Sequence, residues 1–156
     1  MTFDPKFIKV DTVVECADYI NKPHEDYPMR INATAEMIQY HIDMEVKFIT
    51  DYMYKGIHSY IMSDLPAYQR GAWRDTYVTI GYDQPCPPFM IQGEIEEHGL
   101  NIIRFEGMDE SDIIRWYRQF EIVHPFIDGN CRVGGVIAAI ASNYLSKGEW
   151  LLAPCQ

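Results

Sequence analysis

His124-Pro125-Phe126-Ile127-Asp128-Gly129-Asn130-Cys131-Arg132 lies between two stretches of helical periodicity, and the fold is read outward from it. Upstream, Ile113, Tyr117, Phe120 and Val123 recur at helical spacing as one apolar stripe, and Asp109 followed by Asp112 has the pattern of an N-cap. Pro125 disfavours helical backbone at His124, so that helix stops there. Downstream, a second helix is expected from about Asn130–Arg132 to Lys147, with Gly148 in the helix-ending position. Helix, irregular loop, helix is therefore the local order.

Further upstream, Ile38, Ile42, Val46, Ile49, Met53, Ile57 and Ile61 continue a helical stripe from Asn32 to about Met62, which Gly56 is expected to divide. Asp64-Leu65-Pro66 breaks it. Gly71-Ala72-Trp73-Arg74 leads into Thr76-Tyr77-Val78-Thr79-Ile80-Gly81, rich in β-branched and aromatic residues and the one good strand candidate. Gln84-Pro85-Cys86-Pro87-Pro88 must be a loop, because three prolines remove three donors and fix three φ angles. Ile91, Ile95, Ile102 and Ile103 then resume helical patterning to about Phe105. The fold class is mostly α, with a small hairpin-like segment.

The 156 residues fit one domain with a real core. The longest uncharged stretch, Val133–Ser146, has 14 residues, short of the roughly 18 of a membrane span. No basic and apolar leader is seen at the start, and four cysteines without a CxxC pair fit a reduced, cytoplasmic chain, or one delivered into a host cytoplasm. A net charge of −10 would repel phosphate backbones, which argues against general nucleic-acid binding.

The loop places a base, a carboxylate, an amide and a guanidinium within nine residues. A helix N-terminus offers N–H groups and partial positive charge to an anion, and Gly129 permits close backbone approach. Arg132 in the first turn can grip phosphate oxygens, Asp128 can hold magnesium, and His124 can take a proton from an attacking hydroxyl. Taken singly, a His before Pro ends helices and Asp-Gly-Asn makes turns. Taken together, the set suits attack on the phosphorus of a metal-bound pyrophosphate.

These residues resemble the signature loop of the Fic family, His-Pro-Phe-x-[Asp/Glu]-Gly-Asn-Gly-Arg-x-x-Arg, whose members typically transfer AMP from ATP to a hydroxyl side chain of a target protein. Gly71-x-Trp73-Arg74, Val78-x-Ile80-Gly81 and Pro87-Pro88 are similar to the stretch that forms the family's target-binding flap. The resemblance covers roughly residues 45 to 147 and implies a single Fic-like domain over 1–156, a helical bundle with a small β-hairpin flap. The signature loop would be 124–132 and the flap about 71–88, with residues 1–30 an unexplained extension.

Carried over by position, the resemblance makes His124 the general base, Phe126 the anchor of the loop in the core and Asp128 the ligand of Mg2+. Asn130 would hydrogen-bond phosphate, the N–H groups of Gly129, Asn130, Cys131 and Arg132 would form the anion hole, and Arg132 would hold the distal phosphates of ATP. Thr76, Tyr77, Val78, Thr79 and Ile80 would pair with an extended segment of the partner, a protein with an exposed Tyr, Thr or Ser hydroxyl, or this chain itself. No nucleic-acid or membrane partner is expected.

Two positions depart from the pattern. Cys131 stands in place of its second glycine and Gly135 in place of its second arginine, and both touch phosphate binding. A family motif for an inhibitory helix, [Ser/Thr]-x-x-x-Glu-[Gly/Asn], is not found; Glu106-Gly107 comes nearest. Alternatives to AMP are therefore phosphate, phosphocholine or UMP from another pyrophosphate-containing donor, or a Fic-like binding protein without turnover. What fills the space at Gly135 is the discriminating feature.

Overall fold

The computed structural model describes residues 8–10, 12–21, 28–146 and 150–152. In chain order the elements are β1 (Ile8–Val10), α1 (Val13–Asn21), α2 (Pro28–Asp43), β2 (Phe48–Thr50), α3 (Asp51–Ile61), a short 3-10 turn at Pro88–Met90, α4 (Ile91–Glu97), β3 (Ile102–Arg104), α5 (Glu110–Val123), α6 (Asn130–Ser146) and β4 (Trp150–Leu152). The mostly α class is as expected. Two small antiparallel pairs complete it: β1 with β4, where Lys9 faces Leu151, and β2 with β3, where Ile49 faces Ile103.

The bundle is organised around α6. From Arg132 to Ser142 every residue of this helix is buried, which requires neighbours on all sides rather than one apolar stripe. The adjacent glycines make the closest approaches possible. A Cβ at Gly134 would stand 3.0 Å from Glu121 Oε1 and 3.1 Å from a ring carbon of Tyr117, so α5 packs directly on its backbone. A Cβ at Gly135 would stand 3.0 Å from Ile20 Cγ1, so α1 fills the other side. α2 also lies along α6, and α3 packs against α2.

Local chemistry explains the helix starts. Asp109 caps α5 by accepting from Asp112 N–H at 2.9 Å, while the Asp112 carboxylate accepts from Asp109 N–H at 3.0 Å. Thr50 caps α3, its hydroxyl accepting from Met53 N–H at 3.3 Å.

Three expectations need correction. The long stripe between Asn32 and Met62 breaks before Gly56, which lies inside α3; the break falls at Glu45 (φ 52°), and Phe48–Thr50 is then a strand. Its partner is Ile102–Arg104, expected to be helical, because the ladder supplies backbone partners that a short apolar run lacks on its own. Thr76–Ile80 is not a strand. It is irregular backbone closed by one antiparallel bridge, with Ile80 N–H donating to Asp83 O at 2.8 Å and Asp83 N–H to Ile80 O at 2.9 Å across Gly81 (φ 61°) and Tyr82. The expected β-hairpin flap is thus a minimal one. Within residues 1–30, α1 supplies Cys16, Ala17 and Ile20 to the core, so this helix is part of the fold. The expected helix end at Lys147–Gly148 lies outside the described residues.

Candidate active site

α5 ends at His124, whose backbone is left-handed (φ 50°, ψ 62°) and whose N–H still donates to Phe120 O at 3.1 Å. A non-glycine residue in this region costs about 1–2 kcal/mol, so the surroundings must hold it there. Pro125 follows, and Phe126 then turns inward. It is fully buried, as expected of an anchor, and its ring stacks on His58 with centroids 3.9 Å apart and planes 6° from parallel.

Asn130 closes the loop on itself. Its Oδ1 accepts from Phe126 N–H at 2.7 Å and its Nδ2 donates to Phe126 O at 2.8 Å. The residue is 2% exposed and braces the loop by satisfying both backbone groups of the buried Phe126. Gly129 (φ 83°) is required twice over, by its backbone and because a Cβ there would stand 2.8 Å from Met62 Sδ.

Asp128 and the α6 N-terminus form the other end of the site. Asp128 Oδ1 accepts from Gly129 N–H at 2.8 Å, which takes that donor out of the expected anion hole and leaves the hole to the first turn of α6. Arg132 Nη2 lies 3.4 Å from the same oxygen. The arginine is 1% exposed, so it acts as a buried charge behind the loop. The Asp128 side chain is 53% exposed, and both of its contacts fall on Oδ1. One accessible carboxylate fits Mg2+, which keeps most of its water and takes remaining ligands from phosphates.

Cys131 is disulfide-bonded, whereas Cys16 and Cys86 are free thiols. At the second departing position the space is occupied by Ile20 of α1, and α6 meets an apolar neighbour where the family pattern carries a guanidinium.

Two residues of the upstream motif, Trp73 and Arg74, contact the signature loop directly, and a third, Gly71, reaches it through His58. Gly71 N–H donates to His58 Nδ1 at 3.0 Å, so Nδ1 carries the lone pair and Nε2–H donates to Asp128 O at 2.9 Å. Trp73 packs on Phe126 at 5.1 Å, and its indole N–H donates to Gln92 Oε1 at 2.8 Å. Arg74 Nε donates to His124 O at 2.7 Å. The resemblance assigns this motif to the flap, yet its contacts make it a scaffold of the signature loop. His58 is the bridge between the two motifs.

Electrostatics keep both imidazoles neutral. Burial lowers His58 to about 4, outweighing the opposing hydrogen bond to Asp128 O. Burial, aided by the Arg74 charge, lowers His124 to about 4. His124 Nδ1 is shut off from solvent and makes no hydrogen bond to the described residues. A second arginine stands nearby that sequence reading missed: Arg30 of α2, 6% exposed, is bidentate to Asp64 at 2.9 and 2.6 Å, and its charge is felt at His58. Its signal was hidden in the segment left unexplained. Of the expected flap, Tyr77 is 63% exposed and Thr76 and Thr79 are also exposed, while Val78 and Ile80 are half-buried.

Among the described residues no helix is long and apolar enough to cross a membrane. No curated protein matches the chain. Among solved structures it is similar to a Fic family protein from Desulfovibrio desulfuricans G20, at a TM-score of 0.59 and 15% identity over 86% of this chain. The match takes in 48% of that protein, so the chain spans about half of its length. The model of the Fic/DOC family matches residues 48–141, from β2 into the buried half of α6 and across both motifs, and the chain belongs to that family.

Proposed function

We propose that this protein is a transferase that attaches AMP, taken from ATP, to a Tyr, Thr or Ser hydroxyl of a target protein. The observation that carries this is the placing of a buried imidazole and a helix N-terminus at opposite ends of one braced loop. His124 supplies the first and the α6 first turn the second, with Asp128 between them.

In the reaction the target hydroxyl oxygen bonds to the α-phosphorus of ATP as the bond from that phosphorus to the β-phosphate oxygen breaks. Pyrophosphate leaves with the electron pair, and the hydroxyl proton passes to the His124 imidazole. The lowered pKa of His124 keeps it in the neutral form that can accept this proton at neutral pH. Asp128 would hold Mg2+ through its exposed carboxylate, and the ion would neutralise charge on two phosphates. The N-terminal turn of α6 and the buried Arg132 face the phosphates with positive charge. The exposed edge at Thr76–Ile80 would hold an extended segment of the target, the mode in which main-chain hydrogen bonds give affinity.

One observation favours a second reading, transfer of phosphate, phosphocholine or UMP. Ile20 closes the space at Gly135, so the donor's distal phosphates meet a different set of charges from those of the family pattern. The test is intact-protein and peptide mass spectrometry of the purified chain and of His124→Ala, each incubated with magnesium, a cell lysate and a panel of donors. An adduct with the mass of AMP that requires His124 supports the first reading. A His124-dependent adduct of another mass supports the second, and no adduct from any donor refutes both.

A further inference from the structure

We infer that Arg74 is a positioning residue that ties both ends of the flap to the backbone of the base, so that flap geometry and base geometry are set together; this rests on the transferase reading above. The guanidinium is 3% exposed and reaches four carbonyls. Nη1 donates to Thr76 O at 2.9 Å, where the flap begins, and Nη2 to Cys86 O at 2.7 Å, where it returns. Nε donates to His124 O at 2.7 Å and Nη2 also to Val123 O at 3.4 Å. The Arg74 N–H donates to Pro125 O at 2.8 Å. One residue therefore holds three consecutive carbonyls around the base and one at each end of the flap.

Two features make this more than packing. Between Thr76 and Cys86 the flap has a single bridge, Ile80 with Asp83, so no ladder closes its base and the arginine takes that place. His124 is held in a left-handed conformation that an ordinary side chain avoids, and the carbonyl that this conformation reorients is the one Nε grips. Among the described residues Arg74 has no carboxylate partner. Its charge remains uncompensated beside the His124 ring and favours the neutral imidazole. A target segment seated along Thr76–Ile80 shifts the Thr76 carbonyl, and the rigid planar fork carries that shift to His124.

The test uses the full chain with Arg74→Met and Arg74→Lys, and reads two quantities. In hydrogen exchange followed by mass spectrometry, Arg74→Met should exchange about tenfold faster or more in both 76–86 and 121–126, the factor conferred by losing one charged hydrogen bond, with the interior of α6 unchanged. Faster exchange in 76–86 alone, or in neither segment, overturns the inference. Should Arg74→Met fail to fold, Arg74→Lys, which keeps the charge but not the fork, is judged by the same criterion. In steady-state transfer, the folded variant should show a raised KM for the target and a lowered kcat with the KM for the donor unchanged. A fall in kcat with both KM values unchanged marks a merely structural residue and overturns the coupling. If the wild-type chain transfers no group, the transferase reading fails, while the exchange measurement still decides whether flap and base are tied.

Discussion

His58→Phe should separate the two jobs of the bridging imidazole. The substitution keeps an aromatic ring on Phe126, now stacked at 3.9 Å, and removes both polar contacts, leaving Gly71 N–H and Asp128 C=O without their partner. Each of these part-buried groups costs about 1–2 kcal/mol when orphaned, so a loss of about 3 kcal/mol is expected near pH 7.5. The loss should shrink in acid. The His58 pKa is lowered to about 4 in the folded chain, against a usual 6.5. Between those values the unfolded imidazole binds a proton that the folded one does not, so wild-type stability from this group falls as pH drops from 6.5 to 4. Over that window the change is at most about 3 kcal/mol. His58→Phe lacks this dependence, so the difference between the two proteins should approach zero near pH 4. Urea denaturation followed by tryptophan fluorescence at pH 7.5, 6.5, 5.5 and 4.5 measures it, and subtraction cancels every other titrating group. A difference under about 1 kcal/mol at pH 7.5, or one that does not vary with pH, would refute the reasoning.

Other substitutions test neighbouring parts of the account. Burial raises Glu121 to about 8, so the folded chain keeps a proton that the unfolded chain loses above about 4.5. Wild-type stability from this group therefore falls as pH rises, and Glu121→Gln should gain on wild type by about 1.4 kcal/mol per pH unit up to pH 8. Parallel stability curves for the two proteins would count against that. Gly135→Arg should lower stability by about 1–3 kcal/mol, because its Cβ meets Ile20 at 3.0 Å, and pairing it with Ile20→Ala should recover much of the loss in a thermal melt. Asn130→Ala should cost about 2–4 kcal/mol by orphaning both Phe126 backbone groups. Asn130→Asp, which keeps the acceptor, should cost less in the same denaturation assay.

What could be read from the sequence was what is local. The limits of α5 follow from the Asp109 cap and the proline after His124, and α6 starts at Asn130, within the expected Asn130–Arg132. Phe126 was expected in the core only through the resemblance to the family loop, and it is fully buried there. The strands at Phe48–Thr50 and Ile102–Arg104 were not legible, since a short apolar run has the same appearance in either state and only its distant partner decides. The same limit applied within the site. Asn130 and Gly129 sit where the motif places them, yet only the fold shows that the Asn130 amide is spent on Phe126 and the Gly129 N–H on Asp128. Gly71, Trp73 and Arg74 were recognised as a unit, but their contacts with His58, Phe126 and His124 cross long separations that carry no periodicity. Ile20 against Gly135 came from a segment that the motifs do not reach.

Label transfer from ATP tests the central claim most directly. The wild-type chain and His124→Ala are incubated with magnesium and a lysate, once with ATP labelled at the α-phosphate and once with ATP labelled at the γ-phosphate. The account predicts protein-bound α label that depends on His124, and no γ label above that of the lysate alone. γ label that depends on His124, or α label undiminished in His124→Ala, would contradict it.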